Sequence, residues 1–521
     1  MDNSNIYEST DFTLLKQNID IINQQIKTKT NELFKPTFDL KITIYDIILN
    51  YIKKNKRKIY GGYAINQLIL SKNKDDGIYE KNDLPDIDFY SPDPNSDIIN
   101  ICNLLYDAGF CRVNGKEAKH KNTYSIFVDF DLYCDITYVP TKIYNNIKFY
   151  RIHNFNYVHP DFITIDYLKI ITDPISSYWR LEKSLKRLIK LHEYYPLPIL
   201  KDNINLTSTE NDKYINDAIQ TIIENTSDKN IIIGFFAYKY FLEKSNYHSD
   251  DNKINIPFVE IISQNLIEDT TTLLNILKNK FVGNDIYHAE YYPFFHYVGN
   301  SIEIYLNDDL ICIIYDYDKR CYPYQIINYN NKDIKIGSFS LILLYSMINN
   351  FRFKVAEDKN IQHLYKIMAS RLIQMRNYYF KITKKNIFSD TIFKDFIIDC
   401  IGPDINPDHE ILLKYEKRRL NNKPILYIYD PARQRKEQKD KNFFFQNISG
   451  NQIKNIKHLK LNKNNLNTID SDIESNIDDI DDIDDIDDID DIDDIDDIDD
   501  IDDIDDIDDE DINIIDENIN E

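Results

Sequence analysis

Apolar positions along this chain follow two rhythms. Some recur every three or four residues, as on one face of a helix, and others form short dense runs suited to buried strands. Leu14, Leu15, Ile19, Ile22 and Ile26 mark one helix; Ile44, Ile47, Ile48, Tyr51 and Ile52 mark a second, so residues 10–56 read as two helices. A basic loop (Lys53, Lys54, Lys56, Arg57, Lys58) leads into Tyr60-Gly61-Gly62-Tyr63, a tight turn that opens a helix through Leu68 and Leu70. A loop rich in Asn, Lys and Asp separates this helix from the run Leu84-Pro85-Asp86-Ile87-Asp88-Phe89-Tyr90. A helix over Ile98–Ala108 comes next, then strand-like runs at Tyr124–Phe130 and Leu132–Val139, and a helical segment from about Asp161 to Tyr195. The pattern predicts an α+β fold, with helices flanking a sheet of mixed direction.

The plan then repeats. Ile232-Ile233-Gly234-Phe235-Phe236-Ala237 lies over Ile59-Tyr60-Gly61-Gly62-Tyr63-Ala64, and Ile256–Ser263 lies over Leu84–Ser91. Leu310–Ile314 lies over Leu132–Ile136, and Arg371-Leu372-Ile373 with Tyr378-Tyr379 over Arg187-Leu188-Ile189 with Tyr194-Tyr195. Four matches in one order at similar offsets predict a duplicated domain. In the second copy Gly62 has become Phe235, Asp86 Phe258, Asp88 Glu260 and Asp135 Ile313. That copy keeps the apolar scaffold and loses the polar groups, so it is expected to be catalytically dead.

Composition adjusts this picture in three ways. The length of 521 residues allows two or three domains with sizeable cores. The formal charge of −25 conceals an asymmetry: residues 470–521 hold 30 acidic and no basic residues, leaving 57 acidic against 62 basic in the rest. The tail is built on Asp-Asp-Ile triplets from Asp478 to Asp509, a period that fits neither helix nor strand, and self-repulsion predicts disorder. It reads as a solvating tail, with mimicry of nucleic acid as the sharper alternative. The six cysteines (Cys102, Cys111, Cys134, Cys312, Cys321, Cys400) show neither metal-ligand nor disulfide-framework spacing, as expected in a reducing compartment. Neither a signal peptide nor a membrane-length apolar run is evident, so a soluble protein is expected.

Alternation in a strand places Asp86 and Asp88 on one face and turns Ile87 and Phe89 the other way. Two adjacent carboxylates repel unless cations lie between them, and a pair of Mg²⁺ ions is a common solution. The glycine turn upstream can offer backbone N–H groups to a phosphate. Nucleotidyl transfer with two metals needs a third carboxylate. Asp129, Asp131 and Asp135 share one parity, but Asp131 has a counterpart, Asp309, in the degenerate copy. Asp135 is lost together with its partners and lies in the apolar run Cys134-Asp135-Ile136, so Asp135 is the choice.

The Gly-Gly turn, the Asp-Ile-Asp strand and the later Asp resemble the nucleotidyltransferase superfamily that includes DNA polymerase beta, over about residues 55–140. Across roughly 1–445 the chain resembles the poly(A) polymerase catalytic subunits of poxviruses and other large DNA viruses. The run Cys134-Asp135-Ile136-Thr137-Tyr138-Val139-Pro140 and the degenerate repeat point to a giant virus of the mimivirus kind. The spacer from Gly62 to Asp86 is longer than is usual in the superfamily. The resemblance implies template-independent addition of AMP from ATP to RNA 3′ ends, with two Mg²⁺ or Mn²⁺ ions on Asp86, Asp88 and Asp135. It implies ATP phosphates at Gly61 and Gly62, with Arg180, Lys183 and Arg187 facing them. It also implies location in the virion and in a cytoplasmic virus factory. Another RNA terminal nucleotidyltransferase, uridylyl- or CCA-adding, and a non-catalytic RNA-binding processivity factor are the alternatives.

For RNA contact the richest stretch holds Lys417, Arg418, Arg419, Arg433 and Arg435, with Tyr427 and Tyr429 between them. A merely solvated loop is the competing reading. Trp179, the lone tryptophan, is expected to anchor the core. A homodimer and a separate processivity factor both stay open. The resulting division is an N-terminal helical segment (1–55), a catalytic domain (56–200), a linker (201–229), a degenerate domain (230–400), a basic segment (401–469) and the acidic tail (470–521).

Overall fold

The computed structural model describes residues 9–79, 83–119, 122–200, 212–247, 256–317, 320–401 and 407–436. The acidic tail, the basic segment beyond residue 436 and the start of the linker lie outside the described residues.

The N-terminal segment is one helix, α1 (Ser9–Lys54), rather than two. The helix runs without a break through residues 27–43 between its two apolar stripes, Pro36 included. The stripes differ in fate. Leu14, Leu15, Ile19 and Ile26 are exposed, whereas Ile44, Ile48, Tyr51 and Ile52 are buried in the core.

The first half continues with β1 (Lys58–Tyr60), α2 (Gly61–Leu70), β2 (Ile87–Ser91) and α3 (Pro94–Asp107). Strands β3 (Val113–Glu117), β4 (Thr123–Val128) and β5 (Asp131–Tyr138) form a meander; α4 (Thr141–Asn146) and the hairpin β6 (Phe149–Ile152) with β7 (Phe155–Val158) complete the sheet. The expected helix over 161–195 is broken into α5 (Pro160–Ile171), the short α6 (Pro174–Ser177), a 3-10 turn at Tyr178–Arg180 and α7 (Leu181–Tyr194). The break is local chemistry. Pro174 cannot continue a preceding helix, and the Asp173 side chain caps the new one by accepting from the Ser176 N–H.

The second half runs α8 (Asp212–Asn225), β8 (Ile231–Ile233), α9 (Gly234–Ser245), β9 (Val259–Ser263), α10 (Leu266–Lys280), β10 (Ile286–Tyr291), β11 (Ser301–Leu306), β12 (Asp309–Asp316), β13 (Tyr322–Tyr329), β14 (Lys332–Gly337), α11 (Phe339–Val355) and α12 (Lys359–Thr383). The C-terminal elements are β15 (Cys400–Ile401), α13 (Pro407–Leu420) and β16 (Ile428–Tyr429).

Two sheets result, ordered β16-β3-β4-β5-β2-β1-β7-β6 and β10-β11-β12-β9-β8-β14-β13-β15. Their registers coincide. Tyr60 faces Asp88 across an antiparallel pair and Ile233 faces Glu260; Asp88 lies beside Asp135 in a parallel pair and Glu260 beside Ile313. Even the register shifts recur, at Ile126/Phe127 and at Ile304/Tyr305. The fold is thus two tandem nucleotidyltransferase-type α+β units, the second with Phe258 and Ile313 where the first has Asp86 and Asp135.

The halves meet along α5 and α11. Phe162 stands edge-on to Phe351 at 4.9 Å and to Tyr297 at 5.5 Å. Asp166 of α5 accepts from the Tyr90 and Tyr297 hydroxyls, each at 2.9 Å. Helix α11 is buried on nearly every side, which accounts for its lack of a polar stripe. One expectation fails: Cys321 and Cys400 form a disulfide that ties β15 to the start of β13. Their separation of 79 residues is invisible to spacing rules, because folding brings the two thiols together.

Candidate active site

Asp86 directly precedes β2 and Asp88 lies within it, while Ile87 and Phe89 are wholly buried on the opposite face. Because β2 runs parallel to β5 with Asp88 level with Asp135, the third carboxylate arrives beside the first two. Asp86, Asp88 and Asp135 each offer an oxygen, and these oxygens all lie within 4.8 Å of one another. Ser125, opposite Asp135 on β4, donates its hydroxyl to Asp135 Oδ1 at 2.6 Å and fixes that carboxylate. Burial, reinforced by the charges of Asp86 and Asp135, holds the Asp88 carboxyl well above the usual carboxylate range; Arg180 and Arg187 oppose that shift. A carboxylate cluster that disfavours its own ionisation fits divalent cations, and all-oxygen donors suit Mg²⁺ or Mn²⁺.

The glycine turn is sterically tied to this cluster. Gly61 has φ +72°, and a Cβ there would come within 2.0 Å of Asp88 Oδ2. A Cβ on Gly62 would meet the Tyr79 hydroxyl at 2.2 Å and the Arg187 guanidinium at 3.0 Å. Arg187 donates to the Tyr79 hydroxyl at 2.8 Å and sits over its ring. The long spacer after α2 thus folds back over the turn, anchored by Asn66 Oδ1, which accepts from the Ile78 N–H at 2.8 Å. Tyr60, the residue capping α2, supplies no side-chain acceptor to the first turn.

Arg180 belongs to the 3-10 turn rather than to the helix expected from Ser176 onward, yet it and Arg187 both act on Asp88. Lys183 is exposed on α7. Trp179 is not a core anchor: its side chain is 64% exposed, because the 3-10 turn lifts it off the apolar face that α7 buries.

The basic C-terminal residues are placed by β16, which pairs with β3 at the sheet edge. Arg418 and Lys414 both engage Glu117, at 2.6 and 2.7 Å, and Arg435 engages Asp107 at 2.6 Å. Lys417, Arg419 and Arg433 are exposed. Sequence reasoning missed Ser125 and Tyr79. Hairpin register would have flagged Ser125; nothing in the sequence marks Tyr79, whose position depends on how the spacer folds.

In the second copy the same space is filled. Phe235 and Phe258 pack edge-on at 5.4 Å, with the Tyr365 ring against both. Glu260 is buried and accepts from the Asn349 amide at 2.7 Å and the Tyr315 hydroxyl at 2.9 Å.

A carboxylate triad on adjacent parallel strands, facing a glycine turn at a helix start, defines a metal-dependent nucleotidyltransferase of the polymerase-beta type. Comparison places the chain more closely. Residues 46–177 match the family model for the poly(A) polymerase catalytic subunit, and residues 198–463 match that for the C-terminal region of the mimiviral (APMV) poly(A) polymerase catalytic subunit. The chain belongs to this viral poly(A) polymerase catalytic subunit family. It is 31% identical over 485 residues to the Acanthamoeba polyphaga mimivirus member, covering 86% of this chain and 83% of that protein. The African swine fever virus (strain Badajoz 1971 Vero-adapted) member is 29% identical over 161 residues, 30% of this chain and 34% of the viral protein. The crystal structure of the Megavirus polyadenylate synthase matches with a TM-score of 0.77 and 31% identity, over 86% of this chain and 92% of that one.

Proposed function

We propose that this chain transfers AMP from ATP to RNA 3′ ends without a template, releasing pyrophosphate. The observation that carries the reading is the convergence of Asp86, Asp88 and Asp135 in the first copy, where the second has Phe258, a buried Glu260 and Ile313. Asp86 and Asp88 would ligate two divalent ions and Asp135 one of them; such ions acidify the attacking hydroxyl and neutralise the leaving group. Ser125 keeps the Asp135 carboxylate pointed inward. Arg180 and Arg187 supply fixed positive charge where the triphosphate must lie beside Asp88. Gly61 and Gly62 allow close approach of the turn, and Lys183 adds charge at the rim.

The C-terminal basic residues divide in this reading. Arg418 and Arg435 dock their segment on β3 and α3, whereas Lys417, Arg419 and Arg433, exposed at the surface, would meet RNA. The division into catalytic (56–200) and degenerate (230–400) domains is supported by the presence of two sheets, although the first also takes in β16 from the basic segment. Placement in the virion and in a cytoplasmic virus factory follows from the kinship with viral enzymes. No described helix is long and apolar enough to cross a membrane.

The test is product length on a labelled RNA primer, with each NTP supplied separately and Mg²⁺ or Mn²⁺ present or chelated, over a range of protein concentrations. Extension by ATP alone, abolished by chelation and by Asp86→Ala with Asp88→Ala, is expected. Equal use of UTP or CTP would overturn the assignment of the nucleotide, and activity of the double variant would overturn the site. Length that depends on protein concentration would indicate self-association, and short products throughout would indicate a separate processivity factor.

A further inference from the structure

Trp179 and Tyr178 stand edge to face at 5.2 Å, 64% and 71% exposed, on the turn that ends in Arg180. Single exposed aromatics are commonplace. This pair is set apart by its position and by an internal control. Helix α7 starts from this turn and carries Arg187 against Gly62 less than two helical turns further on, so the rings stand near the carboxylate site, with Arg180 and Lys183 beside them in the chain.

The control lies in the degenerate copy. Arg371 lies over Arg187, which sets Gln362-His363-Leu364 over Tyr178-Trp179-Arg180 and Ile367 over Lys183. There α12 runs unbroken through these positions, Leu364 packs against the core and Ile367 is fully buried. The copy that lost two of its three carboxylates has therefore also lost the aromatic pair, the arginine, the lysine and the turn that raises them. The fold packs without these features, so packing does not account for them in the first copy.

We propose that Tyr178 and Trp179 form a stacking platform for bases near the 3′ end of a single-stranded RNA, with Lys183 neutralising an adjoining phosphate. Exposed aromatics bracketed by cations suit single-stranded nucleic acid, because every base offers a π face and the strand must slide after each addition. A platform open to solvent on the rim fits a moving strand better than it fits an enclosed nucleotide base. The proposal rests on the RNA-tailing reading, but binding can be read without catalysis.

Trp179 is the sole tryptophan of the chain, so its emission reports on this site directly. Oligo(A) is titrated into the full-length protein without ATP, with fluorescence anisotropy of labelled oligo(A) as an independent measure of binding. Saturable quenching that tracks the anisotropy is expected, with no quenching by ATP alone. Unchanged emission while anisotropy shows bound RNA would overturn the platform, and quenching by ATP alone would assign the rings to the incoming nucleotide and overturn it equally. Trp179→Ala should raise the KM for RNA about tenfold and leave the KM for ATP in place, and Trp179→Phe should restore most of the loss. Wild-type inactivity on RNA with ATP would count against the tailing reading itself, whatever the emission shows.

Discussion

Replacing Gly61 with alanine tests the coupling between the turn and the carboxylates, and the duplication supplies its control. At φ +72° an alanine costs about 1 kcal/mol of backbone strain. Its Cβ would lie 2.0 Å from Asp88 Oδ2, so reaching even about 3 Å requires the carboxylate or the turn to move by about 1 Å. A displacement of that size in a reacting centre costs on the order of 10²-fold in rate. Gly234 has φ +63°, and a Cβ there would lie 1.6 Å from Glu260 Oε2, so Gly234→Ala meets the same strain and a comparable clash in the copy without the triad. Both variants should therefore lose stability in urea titration. Only Gly61→Ala should lose primer extension, by about a hundredfold at protein concentrations where circular dichroism shows native fold. If Gly61→Ala kept near wild-type extension, or folded Gly234→Ala lost as much activity, the argument from close approach would be refuted.

Asp135→Asn should lower extension on the order of 10³-fold, the size expected when several kcal/mol of metal-borne stabilisation is lost, and Ser125→Ala should fall between it and wild type; steady-state kinetics across Mg²⁺ concentration checks both. Glu260 offers a pH test. Burial pushes its carboxyl up to about 7 from an ordinary 4.5, so the unfolded chain ionises first as pH rises. Its contribution to stability is full below pH 4.5 and is lost progressively up to pH 7. Glu260→Gln should flatten that slope, worth about 3 kcal/mol over the window, in urea unfolding followed against pH. Glu117 runs the opposite way. Burial raises its carboxyl, but Arg418 and Lys414 outweigh burial and lower it to about 2, so the docking of α13 is held above pH 4.5 and lost as pH falls toward 2. Limited proteolysis of the C-terminal segment should quicken over that range, and Arg418→Glu should quicken it at neutral pH.

Local chemistry was enough to read the strands and the carboxylates they bring together. Alternation in Leu84–Tyr90 placed Asp86 and Asp88 on one face, and the apolar context singled out Asp135, because strand periodicity is a property of the backbone itself. The duplication was also legible, since the apolar scaffold of the second copy had survived the loss of its polar groups. Helix boundaries were less so: α1 runs through Pro36, and an Asp-Pro cap breaks the helix before α7.

Only the tertiary structure decided which distant groups meet. It brought Ser125 to Asp135, folded Tyr79 over Gly62, paired Cys321 with Cys400 and committed Arg418 to Glu117. It left Trp179 exposed on the turn before α7. A residue's periodicity is written within a few neighbours along the chain, whereas its partners across 79 or 301 positions are fixed only when the sheets close. The sequence therefore determined the presence of a carboxylate strand and of a spent copy; the closed fold decided what surrounds the carboxylates and what has filled the space they left.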